Sequence, residues 1–254
     1  MKTKTDILKL PKAPLQEVIF EVRWDLDVNL PSQQEYDAEI ETAVGTLKTL
    51  LMDQFPLFQR KLPPELPVQF LNNQIVYQYW TDKNTWPLMQ LGPGVFTVND
   101  TDKEYEWSGK FYPLIKSGLE ALIQSYSKEP SFRMASLRYI DVVRVNDYKF
   151  DSWENFIQKN LNFKFENMFD TRGKLKQFTL TQVFETKEAD DLHITISNGK
   201  NAKKEDILIW ETNLINVRSF NKEELLDWAD QAHAISSELF EEICQKGFYG
   251  SFNK

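Results

Sequence analysis

The stretch LQEVIFEVRW, residues 15–24, alternates apolar and polar side chains and decides the fold. Val18, Phe20 and Val22 stand at every second position, which is the period of a strand with one buried face. The positions between and around them hold Glu17, Ile19, Glu21 and Arg23. A strand of this kind must pack one side against other elements, so the rest of the chain is expected to supply a sheet and helices that cover it.

The remainder of the first half predicts one helix, three strands and a second helix. Pro31 and Ser32 open a segment, residues 33–55, whose apolar residues recur every three or four positions until Pro56. VQFL (68–71), QIVYQYW (74–80) and WPLMQLGPGVFTVN (86–99) are typical of successive antiparallel strands. Helical spacing returns over residues 108–126.

The second half repeats this order of elements and indicates an internal duplication. FRMASLRYIDVVRV predicts a strand and SWENFIQKN a short helix, three further strands end with DILIWETNLINVR, and a long helix begins at Asn221. We therefore predict an α+β protein of two β-α-β-β-β-α units, residues 1–130 and 131–254, in one compact structural unit. Joined about a pseudo-twofold, the units would form a curved, mostly antiparallel sheet with helices on one face, like the saddle of the TATA-binding-protein fold.

Alternation also assigns side chains to the two faces of that sheet. The covered face is expected to hold Val18, Phe20, Val22, Phe178, Leu180, Phe184, Leu192, Ile194 and Ile196. The open face is the candidate partner-binding surface, although a merely solvated sheet explains its polar residues equally well. The candidate binding residues are Glu17, Glu21, Arg23, Arg138, Arg144, Thr179, Thr181, His193, Thr195, Glu211 and Asn213.

Gly92-Pro93-Gly94 interrupts a strand and raises the question of a phosphate-binding loop. The spacing lacks G-x-G-x-x-G and a following Lys-Ser/Thr, and residues 95–98 continue as a strand instead of opening a helix. A bent or interrupted strand is the favoured interpretation.

Charge and composition disfavour several classes of site and partner. The 38 acidic and 30 basic residues give a net charge of −8, which disfavours but does not exclude binding to nucleic acid. Asp230 and His233 have a metal-ligand spacing, but with two histidines and one cysteine a third ligand is lacking, so we expect no metal and no cofactor. Cys244 lies in an apolar pattern and is expected to be buried. Without a signal peptide or an apolar span, we predict a cytoplasmic chain with no membrane contact.

Five segments carry a resemblance to a known family. They are PLQEVIFEVRW, QLGPGVFTVN, YEWSGKFYPLIKSGLEAL, LRYIDVV and DQAHAISSELFEEI. Together they resemble a sporadically distributed bacterial family of uncharacterised proteins, over nearly the whole chain. The matching positions are Glu17, Phe20, Glu21, Arg23, Gly92, Gly94, Trp107, Arg138, Tyr139 and His233, whereas Asp141 stands where the pattern has Asn. The resemblance implies no catalytic residues, and it implies an association with mobile or defence-related gene clusters, including phage defence.

Three functions remain open from the sequence. The preferred hypothesis is a non-enzymatic binding module that engages a protein partner through the open face or the groove between the halves, in an immunity, antitoxin or defence-accessory role. The alternative is a nucleotide or nucleic-acid sensor that uses Arg23, Arg138 and Arg144. An enzyme with carboxylates on the sheet is the third. Homodimerisation through an aromatic-rich edge, with Trp80, Trp86 and Trp107 near turns, is a further expectation.

Overall fold

The strands assemble into one large antiparallel sheet. The computed structural model describes residues 10–101, 105–164, 166–186 and 190–253. The strands are β1 (Leu15–Trp24), β2 (Asp27–Asn29), β3 (Gln34–Tyr36), β4 (Leu57–Arg60), β5 (Tyr77–Asp82), β6 (Thr85–Gly92), β7 (Val95–Asp100), β8 (Phe132–Arg144), β9 (Thr179–Glu185), β10 (Asp191–Lys200) and β11 (Asp206–Asn216). The helices in the described ranges are α1 (Ile40–Leu51), α2 (Tyr112–Ser125), α3 (Trp153–Asn160), α4 (Lys222–Ile243) and α5 (Lys246–Tyr249).

The opening strand lies at the centre of this sheet. The nine strands follow the order β4-β5-β6-β7-β1-β8-β11-β10-β9, and each adjacent pair is antiparallel. Strands β2 and β3 form a separate two-stranded sheet. The prediction of an α+β protein with a large antiparallel sheet is therefore confirmed.

One face of the sheet carries the apolar core. Val18, Phe20 and Val22 are fully buried there, in a cluster that also includes residues of α2 and of the first turns of α4. A second cluster surrounds Trp210 in the later half and includes residues of α3 and the C-terminal segment. Phe184, which alternation places on this face, is 45% exposed because β9 is an edge strand.

A local signal fixes the start of α4 as the sequence predicts, whereas the helix already ends at Ile243 and Lys246–Tyr249 forms the separate helix α5. The Asn221 side chain accepts a hydrogen bond from the backbone N–H of Glu224, and the Glu224 carboxylate accepts one from the backbone N–H of Asn221. This capping box satisfies two amides that the first turn leaves without helical partners. Cys244, directly after the helix, is buried as expected.

The first half differs from the prediction at the start of α1. The predicted helix over residues 33–55 begins only at Ile40, because residues 27–36 form the β2–β3 hairpin. Gln33 closes this hairpin with a φ of 55° and donates its backbone N–H to the Asn29 carbonyl. Pro31 and Ser32 thus lie in a turn and not at a helix start.

Two more segments of the first half depart from the expected strands. VQFL lies in a 3-10 helix, Val68–Phe70, after Pro67, and β4 is an additional strand. The first unit therefore has four sheet strands after α1, whereas the second has three after α3. Gly92 pairs with Val95 across a tight turn, in which Gly94 has a φ of 76°. Gly92-Pro93-Gly94 therefore connects two separate strands, β6 and β7, as a hairpin, and the prediction of a single bent or interrupted strand is wrong.

Candidate functional site

All the candidate binding residues lie on the open face of the sheet, and Phe20 and the apolar core lie on the other face. In one row of neighbouring strands, Arg138 lies between Ile19 and Asn213, and Asn213 in turn pairs with His193. The next row holds Glu17, Glu211, Thr195 and Thr181, on β1, β11, β10 and β9 respectively. Glu21, Arg23, Arg144 and Thr179 have the same strand parity and so share this face.

The arginines of this face lie beside carboxylates. Arg23 Nε donates to Glu21 Oε1 at 2.8 Å. Arg138 Nε lies 3.4 Å from Glu211 Oε1, and Arg144 Nε lies 3.9 Å from Asp147 Oδ2. Their positive charge is therefore balanced locally and does not form one continuous basic patch.

A ladder of hydrogen-bonded side chains crosses the same face, and sequence reasoning did not find it. Gln59 donates to Gln78 at 2.7 Å, and Gln78 donates to Gln90 at 2.8 Å. The Gln90 amide donates to Thr97 Oγ1 at 3.0 Å and to Asn99 Oδ1 at 3.1 Å. Asn99 then donates to Glu17 Oε1 at 2.9 Å. Amide and hydroxyl side chains at alternating positions of neighbouring strands were the available signal.

A second candidate site is a cleft of about 700 Å³ on the helical side of the sheet. We call it the helical cleft. It lies over β8, between α4 and the segment that leads into α2, and residues 10–16 and the C-terminal segment also line it. The side chains on which its chemistry depends are Tyr105, Trp107, Tyr139, Asp141, His233 and Ser236.

Two aromatic residues and one histidine form a hydrogen-bonded chain in the helical cleft. The hydroxyls of Tyr105 and Tyr139 are 3.0 Å apart, and the Tyr139 hydroxyl lies 2.8 Å from His233 Nδ1. The ring of His233 stacks on Trp107 with centroids 4.1 Å apart and planes 11° apart. Trp107 Nε1 donates to Asp230 Oδ1 at 3.0 Å. Asp230 and His233, one turn apart on α4, thus both hold Trp107.

Burial keeps this histidine neutral. Desolvation lowers the pKa of His233 to about 4, although the nearby Asp230 acts in the opposite direction. Burial also raises the pKa of Tyr105 and of Tyr139 well above the ordinary value for a phenol. The chain of hydroxyls and imidazole therefore carries no charge near pH 7.

Asp141 is the acidic group of the helical cleft. It follows Tyr139 by two residues on β8, so both side chains face the helices. Asp141 is only 5% exposed, and burial raises the pKa of its carboxyl to about 8. The Trp210 indole N–H, opposite Asp141 on β11, lowers this pKa but makes no hydrogen bond of ordinary geometry.

Ser236 lies one turn after His233 on α4 and is also 5% exposed. Its hydroxyl has no hydrogen-bond partner among the described residues. Within the same ranges, no Lys or Arg forms an ion pair with Asp141. The helical cleft therefore contains a buried hydroxyl without a described hydrogen-bond partner, and a buried carboxyl without a described cationic partner.

The sequence pointed to only part of this site. The spacing of Asp230 and His233 was recognised, and the structure gives both residues hydrogen-bonding partners. The sequence analysis does not assign Asp141 and Ser236 to a site, because the strand parity of Asp141 indicates its face of the sheet but not how far distant segments desolvate it. Among the described residues, no group of three or more His, Cys, Asp or Glu could hold a metal ion.

Comparisons with known proteins give no relative: no family model, no curated protein and no solved structure matches this chain. No helix in the described ranges is both long and apolar enough to cross a membrane.

Proposed function

We propose that this protein is a non-enzymatic binding module and that the helical cleft holds a small ligand. The observation that carries this proposal is that two buried groups line the same cleft, the Ser236 hydroxyl, which has no hydrogen-bond partner among the described residues, and the Asp141 carboxyl, which forms no ion pair with a described Lys or Arg. An unsatisfied buried polar group costs about 1–3 kcal/mol. A ligand that forms hydrogen bonds with both groups would remove that cost. Ligand binding therefore explains why such polar groups are buried here.

The size and walls of the helical cleft support a small-molecule ligand. Its volume of about 700 Å³ lies within the range of roughly 300–1,000 Å³ that ligand sites occupy. Aromatic side chains, among them Trp107, Tyr139 and Phe240, surround a few polar groups. Three of the positions that carry the family resemblance, Trp107, Tyr139 and His233, meet here.

The arrangement of the polar groups favours binding over catalysis. A serine nucleophile needs a base within hydrogen-bonding distance, but the Ser236 hydroxyl makes no hydrogen bond to His233. His233 Nδ1 is already engaged by the Tyr139 hydroxyl. Burial raises the pKa of the Cys244 thiol to about 12, so this thiol does not supply a thiolate near pH 7.

A ligand-observed NMR screen of neutral, cationic and anionic aromatic fragments tests this proposal. We expect some fragments to bind the wild-type chain and to lose binding in Ser236→Phe, whose ring fills the helical cleft. Thr181→Phe on the open face is the matched control and should bind as the wild type does. A milder variant, Ser237→Leu, also narrows the cleft if Ser236→Phe does not fold. Binding that survives both filling substitutions, or no binding of any fragment, would contradict the proposal.

We also propose that the open face engages a protein partner, as a second function of the module. The local pairing of Arg23 and Arg138 with glutamates favours a protein surface over a phosphate backbone, which needs uncompensated cations. The nucleotide or nucleic-acid sensor remains the alternative, and an immunity, antitoxin or defence-accessory role is what the resemblance implies. For a homodimer we propose Trp80 and Trp86, whose ring centroids are 5.4 Å apart, whereas Trp107 is buried in the helical cleft.

Affinity capture with variants of the open face tests this second proposal. We expect a stoichiometric protein to co-purify with the wild type at high salt and to be lost when Thr181→Arg and Thr195→Arg are combined. Lys222→Glu, on the helical side, is the control. Capture of nucleic acid alone, removed by salt, would instead support the sensor.

The strand order supports an ancient duplication, which we propose as the origin of the fold. Strands β1 and β8 are adjacent at the centre, and β7-β6-β5 on one side correspond to β11-β10-β9 on the other. A pseudo-twofold axis between β1 and β8 would relate the two halves and give the saddle. The additional strand β4 would then be an extension of the first half at the edge of the sheet.

A further inference from the structure

The charges around the helical cleft are arranged asymmetrically. Asp141 is a buried carboxyl, while the other charged residues of the described lining, Lys12, Glu106, Arg144 and Asp147, are exposed. Arg144 has the strand parity of the open face but is the last residue of β8 and so also lines the cleft, and its Nε lies 3.9 Å from Asp147 Oδ2. His233 stays neutral near pH 7. A ligand group that reaches the buried part of the cleft therefore meets the Asp141 carboxyl, whereas the two cationic residues of the described lining, Lys12 and Arg144, are exposed.

The interior also offers what a positively charged group needs besides a counter-ion. Trp107, Tyr139 and Phe240 line the cavity, and the electron-rich faces of aromatic rings attract cations. The Ser236 hydroxyl can accept a hydrogen bond from an N–H donor. A carboxylate, an acceptor hydroxyl and aromatic walls form a suitable environment for an ammonium group carried on an apolar body.

Resting on the proposed small-ligand function, we propose that the helical cleft binds an organic cation, a primary or secondary ammonium attached to an aromatic-sized apolar body. Its ammonium pairs with the Asp141 carboxylate and donates to Ser236, and its apolar body lies against the aromatic walls. An anionic ligand is disfavoured, because it would face Asp141 while the described lining holds no buried cationic side chain to balance both charges.

Binding of a cation is coupled to a proton. In the empty cleft the Asp141 carboxyl is mostly protonated near pH 7, since burial raises its pKa to about 8. An ammonium stabilises the ionised form, so binding releases a proton and the affinity rises as the pH increases toward about 8. The other titratable or charged groups of the described lining and beside Asp141 are Lys12, Tyr105, Glu106, Tyr139, Arg144, Asp147, Tyr148, His233, Cys244 and Tyr249. Of these, His233 is neutral and Tyr139 and Cys244 keep their protons over this pH range.

Isothermal titration calorimetry with tryptamine and with its neutral counterpart tryptophol tests the inference. We expect tryptamine to bind the wild type at least about tenfold more tightly than tryptophol. Asp141→Asn should remove this preference and the proton release, because the amide keeps the shape but cannot ionise. Asp191→Asn, an exposed carboxylate on β10, is the matched control and should leave both unchanged.

The outcomes separate this inference from the function on which it rests. Equal affinity for tryptamine and tryptophol, or an unchanged tryptamine affinity in Asp141→Asn, overturns the ammonium assignment while the cleft remains a ligand site. If neither compound binds but an anionic or neutral fragment from the screen does, the ammonium assignment also fails by itself. If no fragment of any charge binds, both proposals fail. Circular dichroism of each variant confirms that the comparison is made between folded proteins.

Discussion

The buried carboxyl of Asp141 makes the free energy of unfolding depend on pH. The ordinary pKa of 3.8 applies to Asp141 in the unfolded chain, whereas burial raises it to about 8 in the fold. Between these values the folded state holds a proton that the unfolded state has lost, so the stability falls as the pH rises.

We expect Asp141→Asn to raise the unfolding temperature near pH 8 by several degrees, because the amide has no charge to desolvate. The gain should shrink toward pH 4, where the unfolded carboxyl is protonated as well. Thermal unfolding at several pH values measures it, with Asp191→Asn as the control. A gain that is the same at every pH would contradict the assignment of this titration to Asp141.

His233 produces the opposite dependence. Its pKa is lowered from 6.5 to about 4 in the fold, so below about pH 6.5 the unfolded chain binds a proton that the folded chain does not. Stability from this residue is therefore lost as the pH falls from about 6.5 to about 4. We expect the unfolding temperature to fall less in His233→Gln than in the wild type when the pH is lowered from 7 to 5. His193→Gln, on the open face, should follow the wild type, and a steeper acid loss in His233→Gln would refute the argument.

At the scale of an element, the hairpin between β6 and β7 depends on a residue without a side chain. A Cβ added at Gly92 would lie 1.8 Å from the Gln74 carbonyl oxygen, which is backbone and cannot rotate away. The helix α1 offers a matched glycine, since a Cβ at Gly45 meets no atom within 4 Å.

Denaturant unfolding of two alanine variants tests this difference. We expect Gly92→Ala to lower the free energy of unfolding by on the order of 3 kcal/mol or more, or to prevent folding. Gly45→Ala should raise it by about 0.5–1 kcal/mol, because alanine favours the helix. Similar effects of the two substitutions would show that the close approach at Gly92 is relaxed in solution.

At the scale of the whole molecule, the polar ladder links five strands of the first half. Gln90 is its central member, is buried, and donates to both Thr97 and Asn99. The chain of bonds continues to Glu17 on β1, 82 residues away from Asn99. The ladder therefore holds the register of β4 to β1 by side chains as well as by backbone bonds.

We expect Gln90→Leu to lower the free energy of unfolding by about 1–3 kcal/mol, since buried partners then lose their hydrogen bonds. Gln59→Leu removes only the exposed end of the ladder and should change the free energy of unfolding by less than about 0.5 kcal/mol. Chemical denaturation measures both. A neutral Gln90→Leu would mean that the ladder contributes no stability.

Local sequence patterns account for most of the strands and helices, whereas the site depends on contacts between distant segments. The sequence by itself determined β1, β8, β10, β11, α2 and α4, because alternation, helical periodicity and the capping box at Asn221 are local. Local signals also misplaced the start of α1, since Pro31 and Ser32 suit a hairpin turn as well as a helix start. The face of the candidate binding residues followed from strand parity alone.

Only the tertiary structure decided the helical cleft. Tyr139 and His233 are 94 residues apart and Trp107 and Asp230 are 123 apart, so no spacing in the sequence relates them. Asp141 has the strand parity of a buried residue, but its desolvation depends on α4 and on the C-terminal segment that close around it. Burial and charge pairing are properties of distant chain segments brought together, and for that physical reason the site was decided by packing and not by pattern.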